Sequence, residues 1–148
     1  MKVLVDTSVW SLMLRRNPAT LNTSERHTVR ELQDLVNDGR AVIVGAIRQE
    51  LLSGIKHEAQ FQALKSKLSV FEDSEISTAD YENAAAAASK CMTAGVPTTS
   101  IDVFICALAL DRQWPIFTSD RGFAQFQKVL KFQMYSRLTN RTEAASRY

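Results

Sequence analysis

Short apolar runs alternate along this chain with longer segments in which apolar residues recur at helical spacing. The runs at 3–5, 41–44 and 115–117 lack the polar alternation of a strand with one solvent-exposed face. Such runs are typical of strands buried on both faces, and strands that alternate with helices favour a parallel sheet. The sequence therefore predicts an α/β fold, a three-layer α/β/α sandwich with a central, mainly parallel sheet.

Helical spacing marks the segments between these runs. Trp10, Met13 and Leu14 recur at i, i+3, i+4, and the segment that begins at Ser77 is rich in alanine, a strong helix former. The helix after residue 100 is apolar nearly all round, so it is predicted to lie in the centre of the fold. Helices are predicted over 7–14, from a cap at Thr23 or Ser24 to 37, over 46–53, 58–68, 77–95 and 100–111, and over part of 121–130, with weak strands at 69–71 and 132–134.

The length and composition are those of one ordinary globular domain. The chain has 148 residues, of which 45% are hydrophobic and 23% charged, and its net charge is +2. We expect a single domain over 1–136, followed by a polar C-terminal tail over 137–148.

The cysteine, histidine and apolar content excludes several classes of protein. Cys91 and Cys106 are predicted to be buried, reduced thiols, and His27 and His57 are predicted surface residues, too few for a zinc site. The apolar stretch over 103–110 is too short to cross a bilayer, and the N-terminus does not resemble a signal peptide. These features predict a cytoplasmic protein that makes no contact with a membrane.

Four acidic side chains stand where predicted strands end or predicted helices begin. Asp6 and Asp120 follow the first and third apolar runs. Asp102 begins the most apolar helix, and Glu50 lies on the short helix after the second run. Groups at the carboxyl ends of neighbouring parallel strands converge on one crevice. Since two carboxylates about 4 Å apart repel by roughly 4 kcal/mol at an effective dielectric near 20, the cluster needs a cation. Hard oxygen ligands suit Mg²⁺ or Mn²⁺.

Each of these acids taken singly also has a structural explanation. Asp6 and Asp102 are good N-caps for the helices that they precede, Asp120 suits a turn before Gly122, and Glu50 suits an exposed helical position. The joint pattern favours a site, because a fold rarely aims several unpaired carboxylates at one crevice for stability. Helix N-termini also attract phosphate, so the crevice is suited to metal-assisted hydrolysis of a phosphodiester.

The same four regions carry a family resemblance. The segments VDTSVW at 5–10, RQEL at 48–51, SIDVFICA at 100–107 and FTSDRGF at 117–123 resemble the four motif regions of PIN-domain ribonucleases. Their order and spacing are similar to those of the VapC toxins of bacterial and archaeal toxin–antitoxin pairs. The resemblance extends from Met1 to about Phe132, nearly the whole chain.

This resemblance implies a metal-dependent endoribonuclease that acts as a toxin. It assigns Mg²⁺ or Mn²⁺ to the four acids and a supporting role to two hydroxyl residues, Ser8 and Thr118. It also implies a homodimer and a cognate antitoxin protein whose C-terminal segment covers the site. Many relatives carry a further acid where this chain has Gly122, which bears on how firmly a second metal is held. The metal ligands implied are Asp6, Glu50, Asp102 and Asp120, which are also the implied catalytic residues.

Basic residues beside the acids are candidates for contact with an RNA substrate. Arg48 and Arg121 are the best placed, since each is next to or close to an acidic position in sequence, and arginine contacts position a nucleic-acid backbone. Single-stranded or looped RNA is the expected substrate, because its bases are accessible.

Two other functions remain open from the sequence. One is a PIN-like module that binds RNA without cleaving it. The other is an α/β phosphatase with Asp6 as its nucleophile. A phosphatase of that type usually has a second aspartate two residues later, where this chain has Ser8, and a lysine near the third motif, where none is evident.

Overall fold

Three short parallel strands form the centre of the fold. The computed structural model describes residues 1–136, and the tail predicted over 137–148 lies outside them. Strand β1 (Val3–Val5) lies between β2 (Ala41–Val42) and β3 (Ile116–Phe117). Val3 pairs with Ala41, and Leu4 pairs with Ile116. All of β1 is buried, as expected for a strand covered on both faces.

Helices cover both faces of this sheet, which confirms the predicted three-layer α/β/α fold. Helix α1 packs on α2 and α3, and α3 packs on α4, whereas α5, α6 and α7 pack together as a second group. Within residues 1–136 the helices are α1 (Thr7–Leu14), α2 (Thr23–Asn37), α3 (Gly45–Leu52), α4 (Glu58–Leu68), α5 (Thr78–Thr93), α6 (Ser100–Arg112) and α7 (Phe123–Leu130), with a 3-10 turn at Pro18–Thr20.

Several boundaries differ from the sequence-based predictions. The second strand is shorter than predicted, although Ile43 extends it by one isolated bridge to Asp73. The weak strand predicted at 69–71 is wrong, because that segment turns back from the end of α4. The weak strand at 132–134 is reduced to one bridge between Met134 and Ile116.

The N-caps of two helices also correct the predictions. Asn22, rather than Thr23 or Ser24, caps α2, in a reciprocal capping box with Glu25. Thr99 caps α6 by accepting the backbone N–H of Asp102 at 3.1 Å. The carboxylate of Asp102 is therefore free of the capping role that its position suggested.

Helix α6 lies in the middle of the core, as predicted. Every residue from Val103 to Ala109 is buried, whereas Leu110 is exposed. Ala84 and Ala87 of α5 are buried, and α5 packs against α6. The small alanine side chains allow these two helices to approach closely. Cys91 and Cys106 are buried free thiols, which confirms that prediction, and burial raises the pKa of each.

A buried ion pair joins the start of α5 to the end of α6. The guanidinium of Arg112 donates to both carboxylate oxygens of Asp80, at 2.7 and 2.9 Å. Ser77, the N-cap of α5, donates its backbone N–H and hydroxyl to the same carboxylate. The side-chain bonds from Arg112 are the main reason that the pKa of Asp80 lies well below its usual range.

His27 and His57 are exposed, as predicted. None of the helices within the described residues has the length and apolar content needed to span a membrane.

Candidate active site

Asp6 stands at the carboxyl end of the central strand and is almost entirely buried, at 4% exposure. It is the N-cap of α1, and its backbone N–H donates to the carbonyl of Phe117 at the end of β3. The Oδ2 atom of Asp6 accepts hydrogen bonds from the hydroxyl of Ser8 at 2.8 Å and from that of Thr118 at 2.9 Å. Asp6 thus caps a helix and is also held by two hydroxyls, one from each side of the crevice.

The two hydroxyl residues also fix the loop that follows β3. The hydroxyl of Ser8 accepts the backbone N–H of Ser119 at 3.0 Å, and that of Thr118 accepts the backbone N–H of Asp120 at 3.0 Å. Each hydroxyl therefore donates to Asp6 and accepts from the loop that carries Asp120. This network orients Asp6 and Asp120 relative to each other, and a supporting role of Ser8 and Thr118 in metal binding stays a prediction.

Asp120 lies on the exposed side of this loop, in a turn closed by Gly122. The backbone N–H of Gly122 donates to Asp120 Oδ1 at 2.8 Å. A Cβ atom at position 122 would lie 3.1 Å from the same oxygen. Glycine therefore leaves room for the carboxylate of Asp120, at a position where relatives were expected to carry an acid.

Asp102 and Glu50 approach the crevice from two helices. Asp102 lies in the first turn of α6 and is partly buried, and Glu50 is a partly buried residue of α3. The pKa of Asp102 is raised first by burial and then by repulsion from Asp6, Asp120 and Glu50, against the lowering effect of its bond to Thr99. Asp6, Asp120 and Glu50 are therefore each within electrostatic reach of Asp102.

The charges of Asp6, Glu50 and Asp120 act on Asp102, but the four acids are not arranged as a ready set of metal ligands. Among residues 1–136, no three His, Cys, Asp or Glu side chains lie close enough together to hold one ion. The donor set is nonetheless made of hard carboxylate oxygens, supported by hydroxyl groups, and a divalent cation would offset the repulsion that Asp102 experiences. The chemistry of these residues fits Mg²⁺ or Mn²⁺.

Arg48 has a different position from the one expected of an RNA contact. Its guanidinium donates to Asp73 Oδ1 at 2.9 Å and to the carbonyls of Leu68 and Phe71. These bonds tie α3 to the segment after α4, so the guanidinium of Arg48 is already bound within the fold. Arg121 is exposed beside Asp120 and stays a candidate.

Two residues of the site region were not predicted from the sequence. Thr99 is the N-cap of α6 and positions its first turn. A threonine three residues before an aspartate is the sequence pattern that could have indicated this cap. Asp73 is held by Arg48 across 25 positions of sequence, which no local pattern indicates.

We expect the Asp102→Asn variant to be more stable than the parent protein in the presence of a chelator. The pKa of Asp102 is raised in the folded state, so its ionisation opposes folding, and this penalty grows as the pH rises through the titration range of Asp102. Removing the charge should raise the free energy of unfolding at neutral pH by about 1 kcal/mol or less, as for other partly exposed charges. Thermal unfolding at pH 7 and at pH 3 checks this, because the gain should disappear at the lower pH. A variant less stable than the parent at pH 7 would contradict the repulsion.

Comparisons with known proteins agree with this fold. The family model for the PIN domain matches residues 3–129. The fold is similar to the crystal structure of FitAcB from Neisseria gonorrhoeae, with a TM-score of 0.70 and 20% identity, over 90% of this chain and 96% of that one. It is also similar to VapBC2 from Rickettsia felis bound to a DNA fragment from its promoter, with a TM-score of 0.69 and 16% identity, over 91% and 98% of the two chains. A search of curated protein sequences gave no match.

Proposed function

The chain belongs to the PIN-domain family, and from this premise we propose that it is a metal-dependent endoribonuclease that hydrolyses RNA phosphodiester bonds. The observation that carries the proposal is the raised pKa of Asp102, which burial raises first and which repulsion from Asp6, Asp120 and Glu50 raises further. Several carboxylates that repel one another at the carboxyl edge of a parallel sheet are costly for stability, so a function is the better explanation. We propose residues 1–136 as the nuclease domain and 137–148 as a tail.

The four carboxylates would hold Mg²⁺ or Mn²⁺. Such an ion supplies Lewis acidity, which lowers the pKa of an attacking water and stabilises charge on the phosphate and the leaving oxygen. Ser8 and Thr118 keep Asp6 in one orientation through the hydroxyl bonds to Oδ2. The N–H of Gly122 does the same for Asp120. Residues that orient a metal ligand in this way typically change metal affinity or activity by about 10- to 100-fold when removed.

The substrate phosphate is held by positive potential around this acidic centre. The N-terminus of α6 lies beside the carboxylates, and its backbone dipole attracts an anion. Arg121 is exposed at the start of the loop after Asp120 and is placed to contact the RNA backbone. We propose single-stranded or looped RNA as the substrate.

We further propose that this nuclease is the toxin of a toxin–antitoxin pair. The similarity of its fold to FitAcB and to VapBC2 supports this part of the proposal. The corresponding partner is a cognate antitoxin protein, whose C-terminal segment would cover the carboxylates. A homodimer and a cytoplasmic location complete the proposal.

The test is incubation of the purified protein with mixed single-stranded RNA in the presence of Mg²⁺, Mn²⁺ or excess chelator. We expect endonucleolytic products with either metal, none with chelator, and recovery of cleavage when metal is added back. Cleavage that persists in chelator would contradict metal-dependent hydrolysis. Retention of intact RNA in metal would indicate a binding module, and release of phosphate from small phosphoesters with RNA uncut would indicate a phosphatase.

A further inference from the structure

A basic groove lies between the end of α1, the loop after α3 and the helix α4. Its volume is about 500 Å³. Arg15, Lys56, His57 and Lys67 line it, and no carboxylate from residues 1–136 does. Its formal charge of +3, with histidine neutral, exceeds the net charge of +2 of the whole chain. Positive charge is thus concentrated here, whereas negative charge is concentrated in the crevice.

The cations of the groove are available to a ligand. Within the part of the chain that the structure describes, none of Arg15, Lys56, His57 and Lys67 forms an ion pair. By contrast, Arg48 and Arg112 have their guanidinium groups bound to carboxylates of the fold. All four groove side chains are exposed, so their arrangement in the groove does not contribute to the stability of the fold. Several unpaired cations in one concave surface attract a polyanion.

The separation between the groove and the carboxylates can be estimated from the sequence positions and helices that connect them. Gly54, which lines it, follows Glu50 by four residues and lies just beyond the end of α3. Arg15, which ends α1, follows Asp6 by nine residues, roughly 13 Å along that helix. Successive phosphates of one strand in a duplex advance about 3.4 Å, so the groove is a few nucleotides from the carboxylates. One RNA strand would therefore reach both places.

From these observations we propose that the groove binds the sugar–phosphate backbone of the substrate RNA a few nucleotides from the cleaved bond. This proposal rests on the nuclease function, whose substrate it positions. Leu14, Ile55 and Leu64 form an apolar floor against which a ribose packs. Among the described residues, no Phe, Tyr or Trp lines the groove to stack on a base, so we expect it to hold the backbone without selecting sequence.

The test is the salt dependence of RNA binding by the full-length protein in a chelator, where the RNA stays intact. The Lys56→Gln/Lys67→Gln variant is compared with Lys65→Gln/Lys90→Gln, which removes the same charge from exposed lysines outside the groove. We expect the groove variant to bind a short single-stranded RNA more weakly. Its slope of log affinity against log salt should be shallower by about 1.4, since each lost phosphate contact on a single strand contributes about 0.7. The loss should be similar for RNAs of different sequence.

The outcomes separate this proposal from the nuclease function. An unchanged slope in the groove variant, or an equal change in the control, would overturn the groove proposal whether or not the parent protein cleaves RNA. A shallower slope in a protein that never cleaves RNA would support the groove and contradict the nuclease function. If the variant loses binding to polyglutamate but keeps its RNA binding, the groove receives an acidic protein segment instead, and the proposal fails.

Discussion

The Asp6→Asn variant is expected to lose RNA cleavage by roughly a thousandfold, which corresponds to about 4 kcal/mol of transition-state stabilisation. The substitution removes one negative charge from the proposed metal site, at the residue that both hydroxyls orient. It leaves the fold intact, because asparagine and aspartate are equally good N-caps, and the amide oxygen still accepts from Ser8 and Thr118. The rate of cleavage of a labelled RNA in Mn²⁺ is the measurement, with the thermal unfolding midpoint as the check on folding.

Asp38→Asn is the matched control for this variant. It makes the same chemical change at an exposed aspartate after α2, outside the four motif regions. Its cleavage rate should equal that of the parent protein. Activity of Asp6→Asn close to that of the parent would show that Asp6 is not in the reaction centre, whatever the behaviour of the control.

The Arg112→Ala variant is expected to lose about 3–5 kcal/mol of the free energy of unfolding, because it leaves the carboxylate of Asp80 buried without its counter-charge. Asp80 is only 5% exposed and would keep hydrogen bonds from Ser77 alone. The guanidinium also lies over the ring of Trp114, 5.8 Å from its centroid, so packing is lost as well. Denaturant unfolding measures the difference, and Arg30→Ala, at an exposed position of α2, should stay within about 0.5 kcal/mol of the parent protein.

Acid should reduce the difference between Arg112→Ala and the parent protein. Arg112 holds the pKa of Asp80 well below its usual value, so the stabilisation is fully present above that usual value of about 3.9 and is lost as the pH falls below it. Unfolding at pH 7, 4 and 3 should therefore show a penalty that shrinks in this order. A penalty that is constant with pH would mean that the arginine acts through packing rather than through its charge. The double variant Asp80→Ala/Arg112→Ala should lose less than the sum of the two single losses.

The layered fold and the position of Asp6 followed from local sequence patterns. The run Val3–Val5 shows no polar alternation, which indicated a strand covered on both faces, and the structure buries all of it. Because parallel strands share one carboxyl edge, the residues that follow them were expected together, and repulsion felt by Asp102 places its three acidic neighbours within reach. In these cases the residues that determine the structural feature are neighbours in the sequence.

The remaining features depend on partners that are distant in the sequence. Arg48 was expected to face RNA, but it forms hydrogen bonds with Asp73, Leu68 and Phe71. These partners are 20 to 25 residues away in the sequence, so local residue preferences do not predict them. The pair of Arg112 with Asp80 spans 32 positions and was missed for the same reason. The basic groove combines residues from the end of α1, the loop after α3 and α4. These residues are dispersed in the sequence, and only the fold brings them onto one positively charged surface.

Mn²⁺ binding to the parent protein and to its four amide variants tests most directly whether the acids form one cation site. The variants are Asp6→Asn, Glu50→Gln, Asp102→Asn and Asp120→Asn, and binding is followed by calorimetric titration without RNA. We expect binding to the parent protein that each substitution weakens by about tenfold or more, since each removes an oxygen ligand's charge from the same ion. Unchanged affinity in all four variants, or no binding by the parent protein, would contradict the site.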